Sequence, residues 1–389
     1  MTEKLYYKSA YISSFDAVVT SCEKCDKGYA ITLSQTAFFP EEGGQLADKG
    51  KIEDGLVLDV KEIGHEIFHY VENPFDVGQK VHGEIDFVRR FRFMQAHTAE
   101  HILSGFAHSI YGAKNVGFHL GEEEVTCDYD IPFTDEQIRH LENQTNAAIF
   151  ANVPVVCSFP SGEALSQLSY RSKLDLKENV RIVNITGYDI CACCAPHVAY
   201  TGEVGQLRVV FFEHYKGGTR CYLKAGHAAL AYSQAQSSYL ASLSHMLSSP
   251  QESCVLAVEK LLKENADLRY QLVGLKRKQY EKMAASIQPE QGCLFLFLEA
   301  NTDTNEMRHL MNLALERSSV TCGCFAGDDI VGYTFVLAKH STAKIDLQQI
   351  ATVLRQSHGA KCGGSAAMIS GRLPLTQTQI RTILLDLLQ

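Results

Sequence analysis

The sequence predicts an α+β fold built from four consecutive segments. Its first part is rich in strand patterns, its middle carries long helical patterns, and its last hundred residues alternate between the two. A chain of 389 residues is long enough for two or three domains. We expect a β-barrel-like domain over residues 1–88, a mixed α+β domain over 89–228, a helical hairpin or coiled-coil segment over 229–287, and an α/β domain over 288–389.

Composition narrows the class of protein. The apolar run "CLFLFLEA" is far shorter than the ~20 residues of a membrane-spanning helix, and the N-terminus lacks the apolar centre of a signal peptide. We therefore expect a cytoplasmic protein without a membrane partner, whose 13 cysteines are reduced. A formal charge of −9 argues against attraction of nucleic acid by the overall field. An RNA partner would need local basic clusters, for which the candidates lie at 89–92, 276–278 and 361–372.

The first segment is predicted from strand and turn patterns. "YAITLSQTAFFP" at 29–40 has the aromatic and alternating residues of a strand, and two more strand patterns lie at 51–64 and 66–72. Between them, "EEGGQLADKG" at 41–50 is rich in turn residues. Gly43 and Gly44 permit backbone geometry that other residues resist, which a plain hairpin turn would also require.

The second segment begins with "RRFRFMQAHTAEHILSGFAHSIYG", a helix pattern from Arg89 that ends at Gly112. A hairpin follows over 117–131. A second helix is expected over 134–154, with Thr134 and Gln137 in capping-box positions. The segment then continues with "VVCSFP", a short helix "SGEALSQL", and a pair of strands at 179–185 and 205–215.

The third segment is almost wholly helical, and from Val258 it carries an imperfect heptad pattern. The core positions of that pattern are Val258, Leu261, Asn265, Leu268, Leu272, Leu275 and Gln279. A polar residue at a core position can set the register and partner number of a coiled coil. The pattern is barely three heptads long, so it predicts equally a homodimer through this region and a helical hairpin packed against its own domain.

The last segment alternates strands and helices. We expect a buried strand at "GCLFLFLE", a helix around 306–317, a strand at "DDIVGYTFVLAK", a helix that Gly359 ends, a glycine-rich turn segment "AKCGGSAAMISGRL", and a final helix after Pro374.

Two short motifs predict a metal site. In "HTAEH", His97 and His101 lie four residues apart on the predicted helix, which places both rings on one face. In "CCAPH", Cys193 and His197 have the same spacing. Thiolate and imidazole are the ligands that zinc prefers, so the two pairs form a complete set of four for one Zn²⁺ ion per chain. Catalytic zinc sites more often keep three protein ligands and an open position, so the set is compatible with a structural ion or with one loosely held ligand.

Glu100 is the nearest candidate for a catalytic acid or base. It does not follow the first histidine directly, as the glutamate of the metalloprotease motif does. It could reach a bound water, but its position in the pattern favours the helix surface. Cys22 and Cys25 have C-x-x-C spacing but no second pair nearby, so we interpret them as structural.

The chain resembles a known family. "HTAEH" followed by "CCAPH", together with "TAFFPEEGGQLADKG", "NVGFHLG" and "TGEVGQLRV", is similar to the editing domain of alanyl-tRNA synthetase and to its free-standing relatives, the AlaX-type alanyl-tRNA editing proteins. The C-terminal part, with "GAKCGGSAAMISG", resembles the DHH-associated domain at the end of alanyl-tRNA synthetases. The resemblance covers nearly the whole chain, and no ATP-binding pattern of an adenylation half is found in its first ninety residues.

The resemblance implies a trans-editing hydrolase that deacylates alanine tRNA mischarged with serine or glycine. It implies zinc ligation by His97, His101, Cys193 and His197. Thr36 resembles the threonine that recognises the serine hydroxyl, and Gln45 a polar pocket group. Substrate-binding positions carried over from the family are Gly43, Gly44, His119, Lys361, Gly363 and Gly364. The family has G-G-T where this chain has Cys194-Ala195-Pro196, which affects the predicted amino-acid preference.

Two other functions compete with this prediction. The first is a non-catalytic tRNA-binding protein with a structural zinc ion, which the four-ligand set favours. The second is a deacylase of threonine tRNA mischarged with serine, because the threonyl synthetase editing domain shares the zinc motifs. That relative is not expected to carry this C-terminal domain.

Overall fold

The computed structural model describes residues 2–172, 179–316 and 320–388. It divides into two compact units, residues 1–245 and 246–389, which are described separately below. Helices and several sheets occur in both units, which confirms the predicted α+β class. Within the described residues, every helix is too short or too polar to cross a membrane.

The first unit begins with a closed six-stranded barrel. In chain order its elements are β1 (Glu3–Lys4), α1 (Leu5–Lys8), β2 (Ser14–Cys25), β3 (Gly28–Leu33), β4 (Gln35–Thr36), β5 (Gly50–Ile52), β6 (Gly55–Ile63), β7 (Glu66–Val71) and β8 (Lys80–Ile85). The barrel order is β2-β3-β7-β6-β5-β8, and β1 pairs with β4 outside it. The sequence patterns did not predict β2, the longest strand, because only its first half alternates between buried and exposed side chains.

The helix that follows the barrel carries the first metal motif. This helix, α2 (Phe87–Tyr111), begins two residues before the predicted start, where the Asp86 side chain accepts a hydrogen bond from the backbone N–H of Arg89. It ends as predicted at Gly112, whose φ of 70° suits a residue without a Cβ. Most of α2 is buried, because it packs against a second helix and two sheets of the same unit.

The predicted hairpin and second helix are both confirmed. The hairpin pairs β9 (Asn115–Leu120) with β10 (Val125–Tyr129), and the helix is α3 (Asp135–Phe150). Thr134 and Gln137 form the predicted capping box. The four residues predicted to face inward are buried, namely Ile138, Leu141, Thr145 and Ala148. The helical period of the sequence therefore identified the packed face of α3 correctly.

The two strands predicted as a pair belong to different sheets, so their predicted pairing is wrong. The remaining elements of the unit are β11 (Val155–Ser158), α4 (Gly162–Gln167), β12 (Ile182–Ile185), β13 (Asp189–Ala192), a 3-10 turn (Thr201–Val204), β14 (Leu207–Tyr215), β15 (Gly218–Ala225) and α5 (Gly226–Leu247). The sheets have the orders β11-β12-β13 and β14-β15-β10-β9. Each strand pairs instead with a neighbour in sequence, β12 with β13 and β14 with β15, because short connections favour such pairs.

The second unit is a five-stranded sheet with helices. Its elements are a 3-10 turn (Gln251–Ser253), α6 (Cys254–Ser286), β16 (Cys293–Leu298), α7 (Thr304–Glu316), β17 (Thr321–Asp328), β18 (Gly332–Lys339), α8 (Leu347–Ser357), β19 (Lys361–Gly364), β20 (Met368–Leu373) and α9 (Gln377–Leu388). The sheet order is β16-β17-β18-β20-β19, and only β16 and β17 run parallel. Residue 317, the predicted end of α7, lies outside the described residues.

Two predictions in this unit need correction. The glycine-rich segment at 360–373 is not simply a turn, because β19 and β20 pair across it as a hairpin. Strand β17, with the sequence "TCGCFAGD", was not predicted, since its glycines and small residues hide the strand signal. On α6 the heptad leucines Leu261, Leu268 and Leu275 are 54%, 63% and 65% exposed. Pairing with a second copy through this helix stays a prediction.

Candidate metal centre

Four side chains from two distant parts of the first unit meet at one point. His97 and His101 project from α2, while Cys193 and His197 lie on the loop after β13. One ligand atom of each residue lies within 4.8 Å of those of the other three. The three histidines are buried and Cys193 is half-buried. The two sequence motifs therefore converge on a single candidate metal centre.

The Nδ1 atom of each of the three imidazole rings faces a different neighbouring residue. His97 Nδ1 donates to Gln45 Oε1 at 2.9 Å, and His197 Nδ1 lies 3.0 Å from Thr98 Oγ1. His101 Nδ1 lies 3.3 Å from a carboxylate oxygen of Asp189. Nδ1 is hydrogen-bonded in His97 and His197, and in His101 it faces the Asp189 carboxylate without an aligned hydrogen bond, so the Nε2 atom of each ring is left for the centre. Such outer partners fix the ring orientation of metal-bound histidines.

The distances and the chemistry of the four groups fit zinc. Cys193 Sγ lies 3.5 Å from the Nε2 atoms of both His97 and His197. Around a tetrahedral zinc ion with bonds of ~2.0 Å to nitrogen and ~2.3 Å to sulfur, these atoms lie about 3.5 Å apart. Burial disfavours the Cys193 thiolate, but the surrounding histidines outweigh it and hold the pKa of this thiol well below its ordinary value. Burial also lowers the pKa of His197 to about 3, so its imidazole is neutral as a ligand must be.

Asp189 is a functional neighbour that the sequence patterns did not reveal. Arg171 donates two hydrogen bonds to its carboxylate, Nε to Oδ1 at 2.7 Å and Nη2 to Oδ2 at 2.8 Å. Burial disfavours the ionised carboxylate, but Arg171 and His101 lower the pKa of Asp189 overall. His101, Asp189 and Cys191 form a second group with metal-ligating atoms close together. Because Arg171 already neutralises the carboxylate, we interpret this group as a support for His101.

The loop that carries Cys193 is clamped by Arg181. Its Nη1 donates to the carbonyl oxygens of Cys193 at 2.9 Å and Ala195 at 2.8 Å, and its own carbonyl accepts from the Cys193 N–H at 3.0 Å. Ala195 is fully buried in the barrel core. Arg181 and the burial of Ala195 therefore fix the loop on both sides of Cys194.

The predicted glycine turn lies beside the centre. Glu42 and Gln45 are bridged across Gly43 and Gly44, whose φ angles of 63° and 83° favour glycine. The Leu120 N–H donates to the Gly44 carbonyl at 2.7 Å. A Cβ at Gly44 would lie 2.4 Å from the Phe118 carbonyl oxygen. The turn can press against β9 only because it lacks side chains.

Gln45 follows the turn and is fully buried. Its Oε1 accepts from His97, and its Nε2 finds no hydrogen-bond partner within the described residues. A buried amide donor without a partner is costly unless a ligand completes it. Gln45 can therefore both orient a ligand ring and offer a donor at the centre.

A buried ion pair joins the loop after the glycine turn to α2. Arg90 and Asp48 are both almost fully buried and bond to each other. Arg90 also donates to the Ala37 carbonyl, and Asp48 accepts from the Phe39 N–H at 2.7 Å. These bonds fix the loop relative to the helix that carries His97.

The Thr36 side chain on β4 is buried and contacts a barrel residue. Its hydroxyl lies 2.8 Å from His69 Nε2 and accepts from the Phe38 N–H at 3.1 Å. Burial lowers the pKa of His69 to about 4. These contacts of Thr36 are with barrel residues rather than with the four candidate ligands.

Glu100 is a buried residue of α2, the helix that carries His97 and His101. Its Oε1 accepts from the Ser104 hydroxyl and from Asn115 Nδ2, and it lies 3.7 Å from Cys127 Sγ. The favoured position on the helix surface is wrong, because Glu100 is only 4% exposed. Of these neighbours, Ser104 lies on the same helix, Asn115 on β9 and Cys127 on β10.

The remaining predicted substrate-binding residues are spread over both units. His119 is exposed on β9, the edge strand next to the glycine turn. Lys361, Gly363 and Gly364 lie on β19 in the second unit, at the edge of its sheet.

Comparisons with known proteins agree with this centre. Residues 180–220, which include Cys193 and His197, match the family model described as threonyl and alanyl tRNA synthetase second additional domain. An alanine–tRNA ligase of Methanoregula boonei is 30% identical over 96% of this chain and 42% of the ligase. One of Ignicoccus hospitalis is 29% identical over 74% of this chain and 33% of the ligase. This chain thus spans less than half the length of these ligases.

A relative of similar length covers both units. The alanyl-tRNA editing protein of Danio rerio is 26% identical over 94% of this chain and 92% of that protein. This chain therefore carries a threonyl and alanyl tRNA synthetase second additional domain and is homologous, over nearly its full length, to alanine–tRNA ligases and to a free-standing alanyl-tRNA editing protein.

Proposed function

We propose that this chain is an aminoacyl-tRNA hydrolase that removes serine or glycine from mischarged alanine tRNA at a zinc ion. The observation that carries the proposal is the convergence of His97, His101, Cys193 and His197 within 4.8 Å of one another. The name of the Danio rerio relative supports the editing of alanyl-tRNA, and the synthetase-related family supports a tRNA partner.

With one of the four ligands held loosely enough to admit water or substrate, the zinc ion would polarise the ester carbonyl and lower the pKa of a bound water to roughly 7. The chain supplies the surroundings. Gln45 Nε2 is a buried donor for an oxygen of the substrate, and the turn at Gly43 and Gly44 holds Gln45 in place against β9. Thr36 and Glu100 have positioning roles. Thr36 contacts His69 on β7, and Glu100 on α2 accepts buried hydrogen bonds.

Selection of serine over alanine rests on hydrogen bonding to the serine hydroxyl. A site that binds a hydroxyl with a fixed donor discriminates more strongly than one that selects by size alone. Gln45 is the residue that best fits this task, because its free donor is already desolvated. Glycine would be accepted for its small size, with weaker selection.

The direct test is a deacylation assay on four substrates: seryl-, glycyl- and alanyl-tRNA of the alanine acceptor, and seryl-tRNA of the threonine acceptor. We expect hydrolysis of the first two and loss of it in His97→Ala. His140→Ala, which changes an exposed histidine on α3, is the matched control. Metal content and circular dichroism of each variant separate loss of the ion from loss of the fold.

The competing functions give different results in the same assay. Equal slow rates for wild type and His97→Ala, with intact tRNA binding, would identify a binding protein with a structural ion. That function is favoured by the four-ligand set, which leaves no open position in a tetrahedral site. Preferential hydrolysis of seryl-tRNA of the threonine acceptor would identify the third function.

A further inference from the structure

An exposed aromatic corner lies near the metal-bearing loop. Phe159, just after β11, is 51% exposed. Its ring centroid lies 5.3 Å from that of Tyr7 on α1, with the ring planes at 70°. The exposed face of a phenylalanine that a second aromatic ring supports is a surface on which a flat ring can stack.

The register of the β11-β12-β13 sheet relates this corner to the centre. Ser158 pairs with Ile182, and Ile182 pairs with Ala192. Extending this register by one residue beyond the end of β11 brings Phe159 opposite Arg181, and Arg181 opposite Cys193. The hydrogen bond from the Cys193 N–H to the Arg181 carbonyl continues the ladder at this level.

Residues directly opposite in neighbouring strands project from the same face of a sheet. Neighbouring strands lie ~4.8 Å apart, so Phe159 is about 10 Å from Cys193, with Arg181 between them. An ester on a terminal ribose and the base of that nucleoside are attached to the same sugar. The spacing therefore suits one nucleoside whose ester lies at the metal and whose base lies at Phe159.

Positive charge borders the same corner. The guanidinium carbon of Arg181 lies 5.3 Å from the Tyr7 ring centroid, while its Nη1 holds the carbonyls of Cys193 and Ala195. Lys4 Nζ lies 5.4 Å from the same centroid and is paired with Glu62. Both cations are bound to protein partners, and Arg181 is only 7% exposed, so the exposed face of Phe159 is the group left to bind an unpaired base by stacking.

We propose that Phe159 and Tyr7 form a subsite for the 3′-terminal nucleoside of the RNA, with the base stacked on Phe159. The subsite rests on the proposed function, because it assumes that an RNA 3′ end is presented to the centre. It adds a residue of the β11 end to substrate recognition, which neither sequence motif includes.

The test combines two RNAs with three variants. The RNAs are an uncharged acceptor minihelix of the alanine tRNA with its terminal adenosine and the same minihelix without it. The variants are Phe159→Ala, the conservative Phe159→Tyr, and Phe150→Ala, which removes a 78% exposed phenylalanine at the end of α3. Dissociation constants are measured for the wild type and each variant, and KM and kcat for the serylated minihelix.

We expect the wild type to prefer the complete minihelix and Phe159→Ala to lose that preference. Stacking of one base on an aromatic ring accounts for about 5- to 100-fold in affinity, so KM should rise by a factor in that range while kcat changes little. Phe159→Tyr and Phe150→Ala should behave as the wild type does.

The subsite is overturned if Phe159→Ala keeps the wild-type preference for the terminal adenosine, or if the wild type shows none. A wild type that prefers the complete minihelix but fails to hydrolyse the serylated one would overturn the proposed function and leave the subsite supported. The binding measurement therefore tests the subsite, and the hydrolysis measurement tests the proposed function.

Discussion

Gln45 and His97 are joined by a buried hydrogen bond of 2.9 Å between Oε1 and Nδ1. The bond links the glycine turn between β4 and β5 to the helix that carries two of the four candidate ligands. It sets the orientation of the His97 ring, so that a residue outside the ligand set influences the metal.

Replacement of Gln45 by methionine should weaken zinc binding. The variant keeps the side-chain volume but leaves the His97 Nδ1–H buried without an acceptor. Loss of such an outer partner typically costs 10- to 100-fold in metal affinity, which competition with a chromogenic chelator measures. Gln45→Glu, which keeps an acceptor, should bind zinc more tightly than Gln45→Met. Equal affinities for the wild type and Gln45→Met would show that the ring is oriented by packing alone.

Asp189 should affect stability and metal binding in separable ways. Asp189→Asn leaves the largely buried Arg171 without its carboxylate, and breaking a buried ion pair costs about 3–5 kcal/mol. In the double variant with Arg171→Gln the unpaired charge is gone, so the free energy of unfolding should partly recover. Zinc affinity should stay low in both variants, because His101 has lost its charged partner. A double variant with wild-type zinc affinity would limit Asp189 to a structural role.

The two turn glycines should differ in their tolerance of alanine. A Cβ at Gly44 would lie 2.4 Å from the Phe118 carbonyl oxygen, whereas one at Gly43 would meet only Cys194 Sγ at 3.5 Å. Both residues have positive φ, so alanine costs about 1 kcal/mol at either. Only Gly44→Ala should also displace the turn from β9 and reduce deacylation, with zinc content unchanged. A similar loss of activity in both variants would mean that backbone strain, not the close approach, is decisive.

His69 should make the stability of the first unit depend on pH. Burial lowers its pKa from the ordinary 6.5 to about 4 in the folded protein. Between these values the unfolded chain binds a proton that the folded chain does not, so stability falls as pH decreases from 6.5 towards 4. The His69 share of this loss is about 2 kcal/mol between pH 7 and pH 5.

Urea unfolding of wild type and His69→Gln at both pH values measures this difference. Protonation of the metal ligands contributes to both proteins and cancels in the comparison. The variant should therefore lose less stability on acidification than the wild type does. Parallel losses in the two proteins would contradict a neutral, buried His69.

The four candidate ligands could be predicted because their chemistry follows local spacing. His97 and His101 share a face on any helix, and Cys193 and His197 repeat the interval. Gly112 and the Thr134 capping box also act within a few residues, so both ends of α2 and the start of α3 were predicted to within two residues, whereas the end of α3 lies four residues before its predicted position.

The supporting residues could not be found in the same way. Arg171 and Asp189 are 18 positions apart, and Asp189 reaches His101 only through the packing of β13 against α2. The pairing of β12 and β14 with their neighbours likewise depends on which sheet each strand joins. Single-strand patterns carry no information about partners, which is why that pairing was predicted wrongly.

The bond from Leu120 to Gly44 has a consequence for solubility. Strand β9 is an outer strand of its sheet, and such strands offer unpaired backbone groups to which another molecule can add a strand. Gly44 occupies one of those groups at the end of β9, so the turn also shields the sheet against intermolecular strand addition. The residues that shape the centre thereby help to keep separate molecules from aggregating.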